Sequence, residues 1–139
     1  MSDGKAGPAV RKLVHTEKIP VRWGDMDAMG HVNNTVYFRF MEQTRISWFE
    51  ALMPRGEAWG TTGIVIVNAS CNFTRPINYP ATVEVKMYTG PLGGSSVPTT
   101  YDLLVKGELC ADGAATIVFI DMQKQKAVRI PENLRAKMA

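Results

Sequence analysis

The spacing of apolar residues changes period along this chain. Residues 14–23 (VHTEKIPVRW) partly alternate apolar and polar, which predicts a first strand, with Pro20 marking an edge or an irregular point. The stretch GDMDAMGHVNN follows, rich in Gly, Asp and Asn, and reads as a loop. From about Thr35, Val36, Tyr37, Phe40, Met41, Thr44, Trp48, Phe49 and Leu52 recur at three- and four-residue steps, which predicts a helix. Asn34 is the expected N-cap, its side-chain oxygen accepting from a free N–H of the first turn. Pro54 and Gly56 are expected to end the helix. Its apolar positions fill more than a narrow stripe, so it should be well buried.

Strand patterns occupy the remainder. Residues 63–74 open with a continuous β-branched run, residues 82–89 alternate cleanly, and residues 99–109 and 115–122 follow. The turn-rich stretch GPLGGSSVP separates the second of these from the third. Asp112-Gly113, between two strand patterns, predicts a hairpin turn. The order is one strand, one long helix, then four strands. Consecutive strands without intervening helices favour an antiparallel sheet and the α+β class. The expected organisation is a loose N-terminal tail over residues 1–13 and one domain over residues 14–139.

Composition narrows the function classes. With 45% hydrophobic and 21% charged residues, the chain resembles an average soluble globular protein. Its 139 residues suffice to bury a core without staples. No apolar run is long enough to span a bilayer, and the N-terminus lacks the apolar stretch of a secretory signal. The net charge of +3 comes from scattered residues, which argues against nucleic acid and suits an anionic small molecule or an ordinary solvated surface. Cys71 and Cys110 form no CxxC pair, and with two histidines in all they make no credible zinc site. Both are expected to be reduced and buried, in a cytoplasmic protein.

The chemistry concentrates where the first strand gives way to the helix. Asp25, Asp27, His31, Asn33 and Asn34 fall within ten residues. A helix N-terminus offers unpaired N–H groups and the positive end of a dipole, which can hold a developing oxyanion. A carboxylate beside it can attack a carbonyl or deprotonate a water. No Lys or Arg lies between Trp23 and Phe38, so the loop carries no cation of its own to polarise a carbonyl. Taken singly, each residue also has a plainer reading. Asp25 holds the loop by hydrogen bonds. Asn33 and Asn34 cap the helix, and Gly30 answers a backbone requirement. His31 either orients water or substrate, or packs at the loop.

The run DMDAMGHVNNTVYFRFMEQTR resembles the motif of the 4-hydroxybenzoyl-CoA thioesterase-like family, the acyl-CoA thioesterases of the hot-dog fold. The segments SCNFTRPINYPATVEVK, GGSSVPTTYDL and TIVFIDMQKQKAVRIP resemble later parts of that family in the same order. The resemblance implies a long helix wrapped by a curved antiparallel sheet of about five strands. It implies Asp27 as the catalytic carboxylate, nucleophile or general base, with the backbone N–H near Asn34 as oxyanion donor. His31 is a further catalytic candidate. Asn33, Tyr37, Arg75, Ser95 and Ser96 are candidates for substrate binding. The implied substrate is an acyl-CoA, or an acyl-carrier-protein thioester, and no metal or bound cofactor is needed. The implied assembly is a homodimer or homotetramer, with no nucleic-acid or membrane partner. Two other readings share the fold. A dehydratase or hydratase would carry a His within its helix, and residues 36–52 have none. A non-catalytic acyl-CoA-binding domain would have no need of Asp27 beside His and Asn.

Overall fold

The structure is a computed structural model that describes residues 10–53 and 60–138. The elements in chain order are strand β1 (Lys12–Pro20), helix α1 (Asn34–Leu52), strands β2 (Thr62–Phe73), β3 (Thr82–Thr89), β4 (Ser96–Val105), β5 (Glu108–Asp121) and β6 (Lys126–Ala127), and helix α2 (Glu132–Met138). The strands form one antiparallel sheet in the order β1-β3-β4-β5-β2, with the two-residue β6 added beside the end of β5.

Alternation does the sorting in the central strands. Val83, Val85 and Met87 of β3, Val97, Thr99, Tyr101 and Leu103 of β4, and Ala115, Ile117 and Phe119 of β5 are all buried. The residues between them are only partly covered. Helix α1 buries Tyr37, Phe40, Met41, Thr44, Trp48 and Phe49, the face that the sequence spacing picks out. The opposite side stays open: Arg39 pairs with Glu42 at 3.2 Å, and Ile46 is 47% exposed. The helix is therefore covered on one face only. Pro54 and Gly56, the expected stop, lie outside the described residues.

Four sequence expectations change. The N-cap is Asn33, one residue earlier than expected. Its side chain accepts from the Thr35 N–H at 2.9 Å and the Thr35 hydroxyl at 2.8 Å. The Asn33 N–H is held by the Asp25 carbonyl at 2.9 Å, which fixes the backbone just ahead of the first turn. The β4–β5 hairpin turns at Lys106-Gly107, whose φ values of 52° and 80° suit a tight two-residue connection. Asp112-Gly113 instead lies inside β5, with Asp112 opposite both Asp102 and Asn72. A third departure is β6 and α2, which the strand-based reading missed. Pro131 ahead of the helix, Glu132 in its first turn and Arg135 and Lys137 in its last are ordinary helix signals. Finally, β1 starts at Lys12 and stops at Pro20, and Trp23–Asp25 form a single 3-10 turn.

Both cysteines are free, Cys110 buried and Cys71 half-buried. Burial, aided by the nearby Asp112 charge, pushes the Cys71 thiol up to about 11, and burial raises Cys110 as well. Neither is a thiolate at neutral pH, so neither is a ready nucleophile.

Gly113 is explained by packing rather than by a turn. A Cβ there would run into the buried Met41 side chain and come within 3.0 Å of the Ser70 carbonyl. The missing side chain lets α1 and β2 approach β5 closely. Gly113→Ala should therefore lower stability by about 1–3 kcal/mol, the usual cost of overpacking. Urea unfolding followed by circular dichroism measures it, and an unchanged midpoint would show that the site has slack.

Candidate active site

Past the end of β1, the chain turns through Trp23–Asp25 into a loop that closes on α1. Asp25 is 3% exposed and anchors this loop. It accepts from the Arg22 backbone N–H at 2.8 Å and from the Arg22 guanidinium at 2.9 Å. Burial pushes the Asp25 carboxyl up, but the bonds and charge from Arg22 outweigh it and hold the carboxyl below its ordinary value. Asp25 is thus an ionised, paired, structural group.

Asp27 is arranged differently. Its backbone N–H donates to the His31 carbonyl at 2.8 Å, and its own carbonyl accepts from Gly30 at 3.1 Å. Gly30 supplies φ +82°, which few side chains tolerate. One carboxylate oxygen, Oδ1, accepts from the Met29 N–H at 2.9 Å and the His31 N–H at 3.3 Å. The other, Oδ2, has no hydrogen-bond partner among the described residues. The side chain is half-buried and borders a cavity of about 250 Å³ that His31, Asn34, Tyr37 and Arg75 also line. It borders a second cavity of about 400 Å³ on the side of Trp23, Met26 and Tyr79.

The helix N-terminus faces the first cavity. Thr35 N–H is taken by the Asn33 cap, and Val36 N–H by the Asn33 carbonyl at 2.9 Å. The Asn34 N–H has no partner among the described residues. Tyr37 is buried, with its ring edge-on to Phe73 at 4.9 Å between centroids. Burial raises its phenol pKa; the Ile77 backbone opposes this, and Cys110, Cys71 and Asp27 add to it. The hydroxyl is a protonated donor at neutral pH.

The other wall comes from the segment after β2. The Val32 N–H donates to the Ile77 carbonyl at 2.8 Å, tying the loop to this segment. Beside that bond, His31 Nδ1 lies 2.9 Å from Asn78 Oδ1. Arg75 reaches the cavity from the same segment. Its guanidinium meets Glu108 at 3.1 Å in an exposed pair, which holds it only weakly.

Asp27, His31, Asn34, Tyr37 and Arg75 are thus brought together. Asn33 is set apart, its side chain committed to the cap. Ser95 and Ser96 do not line the cavity: the Ser95 carbonyl accepts from Phe119 N–H, and the Ser96 carbonyl from Gly93 N–H, each at 2.8 Å. The sequence reading missed Phe73, Thr74, Pro76 and Asn78. Their only signal was the FTRPIN stretch, whose distance from the loop in sequence hid its role.

The sequence matches the family described as "Thioesterase-like superfamily" over residues 21–138. It is 30% identical to the long-chain acyl-CoA thioesterase FadM of Escherichia coli, over 87% of this chain and 94% of that protein. In structure it is similar to the PA2801 protein of Pseudomonas aeruginosa, with TM-score 0.84 and 37% identity, covering 92% of this chain and all (100%) of that one. It is also similar to a Thermus thermophilus thioesterase complexed with coenzyme A and Zn, with TM-score 0.80 and 28% identity, covering 91% and 92% of the two chains. These likenesses share one hot-dog architecture, and the family match runs from the residue after β1 to the end of α2, so the chain belongs to the thioesterase-like superfamily, whose chemistry is thioester hydrolysis.

Proposed function

We propose that the protein hydrolyses acyl-CoA thioesters to free acid and CoA, with Asp27 as the reacting carboxylate. One observation carries this reading. Asp27 has one oxygen tethered and one without a partner among the described residues, and it borders a cavity that also meets the start of a helix. The likeness to a long-chain acyl-CoA thioesterase and to a thioesterase complexed with coenzyme A supports a CoA thioester as the substrate class.

Bonds from Met29 and His31 fix the plane of the carboxylate, so Oδ2 is presented rather than free to rotate away. As nucleophile, Oδ2 adds to the thioester carbonyl carbon, the C–S bond breaks, CoA leaves as thiolate, and water then cleaves the mixed anhydride. As general base, Oδ2 takes a proton from the water that attacks. Either route puts negative charge on the carbonyl oxygen. The Asn34 N–H is the donor left for it at the helix start, preorganised and backed by the helix dipole. Asn33 serves this donor indirectly, by occupying the next N–H and fixing the first turn. The buried Tyr37 hydroxyl and the Arg75 guanidinium are assigned to substrate binding, Arg75 toward the phosphates of CoA. Ser95 and Ser96, outside the cavity, are candidates for the nucleotide end only.

The active form is proposed to be a homodimer or a homotetramer. Among the described residues β2 pairs with β5 alone, and its Val65, Ile66 and Val67 are 39%, 38% and 56% exposed. Such an uncovered apolar edge invites strand pairing. β2 ends at Phe73, which also lines the cavity, so a partner on this edge would stand beside the site. Two unpaired cysteines suit a reducing compartment, and the cytoplasm is the proposed location.

Release of free thiol from a panel of acyl-CoA and acyl-carrier-protein thioesters tests the activity; no release from any of them would overturn it. Asp27→Asn should stay folded and lose at least about 100-fold in rate, the scale of losing a general base or nucleophile. Asn34→Ala keeps the backbone N–H and should cost less than Asp27→Asn in the same assay. A folded Asp27→Asn within a few-fold of wild type would remove Asp27 from the chemistry. Light scattering at micromolar concentration should give twice or four times the chain mass, and a clean monomer would exclude a shared site.

A further inference from the structure

We infer that Asn78 is a positioning residue that sets the tautomer of His31 and aims its second ring nitrogen at the cavity. The inference rests on the reading of His31 as part of the thioesterase site. Asn78 does not line that cavity, and its role runs through the imidazole.

The geometry is built from backbone upward. The Val32 N–H bond to the Ile77 carbonyl, at 2.8 Å, joins two buried residues, each 2% exposed. It places the neighbours His31 and Asn78 side by side, although 47 residues separate them in sequence. His31 Nδ1 then meets Asn78 Oδ1 at 2.9 Å. A carboxamide oxygen only accepts, so the imidazole must donate, and neutral His31 carries its proton on Nδ1. Nε2 is left as a bare acceptor, with no partner among the described residues. The His31 N–H also binds Asp27 Oδ1 at 3.3 Å, so the ring and the carboxylate hang from one short loop.

This arrangement has a chemical use. An acceptor nitrogen at the cavity wall can take a hydrogen bond from the O–H of the hydrolytic water and orient its lone pair toward the carbonyl. The opposite tautomer would present an N–H, which competes for the water's lone pair instead. A histidine side chain in water favours the Nε2–H form, so a partner is needed to hold the Nδ1–H form. His15 shows the contrasting arrangement, its Nε2 lying 2.8 Å from the Glu17 carboxylate in β1.

The chain has only two histidines, which makes the test direct. In a His15→Gln background, a long-range proton–nitrogen spectrum of histidine-labelled protein, recorded at alkaline pH, reads the His31 tautomer alone. The expected result is Nδ1–H with a bare Nε2. Asn78→Ala should shift the ring toward Nε2–H and lower kcat by roughly tenfold, the scale for losing a partner that orients a functional imidazole, with KM little changed. Asn78→Asp keeps an acceptor oxygen and should restore both the tautomer and most of kcat. An Nε2–H ring in otherwise unaltered protein would overturn the inference. So would an Asn78→Ala protein with the original tautomer, or with a shifted tautomer and full kcat. The tautomer is read without turnover, so a protein inactive on every thioester would sink the proposed function and leave this reading to its own spectrum.

Discussion

Helix α1 must bury Tyr37, Phe40, Met41, Thr44, Trp48 and Phe49, and most of the other features of the fold follow from that demand. Each large side chain removed from water contributes on the order of 1.5–3 kcal/mol, so this face outweighs any single polar contact in the molecule. An antiparallel sheet supplies the matching surface through its alternating strands β3, β4 and β5. Close approach then requires that β5 carry no side chain where Met41 arrives, which is the place of Gly113. Once the helix axis is fixed, so is its N-terminus, and the Asn34 N–H, without a partner among the described residues, points where the packing puts it.

The loop before the helix is held by a different kind of force. It contains little apolar mass, and short polar bonds define its shape. Arg22 and Asp25 close the first turn, Asp25 holds Asn33, and Asp27 and His31 bond to one another's backbones. Val32 is the one deeply buried apolar residue in the second half of this loop, and its N–H is spent on Ile77. That bond joins the loop to the segment after β2. It brings Asp27, His31 and Tyr37 against Arg75, with Asn78 behind His31, from parts of the chain far apart in sequence. A rigid scaffold with a polar loop at its edge is a common way to hold reactive groups at fixed separations.

The helix and the central strands were legible because burial imposes a period, and a period survives in a single sequence. The alternation over residues 82–89 predicts a strand, and β3 spans Thr82–Thr89. The local half of the candidate site is legible too, since Asp25 to Asn34 crowd together in sequence. What failed was positional chemistry with more than one meaning. Asp112-Gly113 matches a hairpin turn and also a close-packed strand, and the choice depends on Met41, seventy-odd residues away. The true turn, Lys106-Gly107, was hidden inside an apparently continuous strand. Asn33 and Asn34 are equivalent as caps until the Asp25 carbonyl selects one. The distant wall of the cavity left almost no trace, because a hydrogen bond such as His31–Asn78 imposes no pattern on its neighbours.

The two aspartates of the loop show how strongly environment decides the work of a side chain. Asp25 and Asp27 are the same residue two positions apart, yet they sit in opposite surroundings. Asp25 is buried, and both of its oxygens accept from Arg22. Its charge is spent locally, on holding the turn. Asp27 meets no cation in its own loop and uses one oxygen for the backbone. The other oxygen remains beside a cavity and a helix N-terminus. Exchanging their roles would require moving Arg22 rather than either carboxylate. The cation thus serves the site by its placement: it is next to Asp25 and absent from Asp27, which leaves one carboxylate structural and the other available for chemistry.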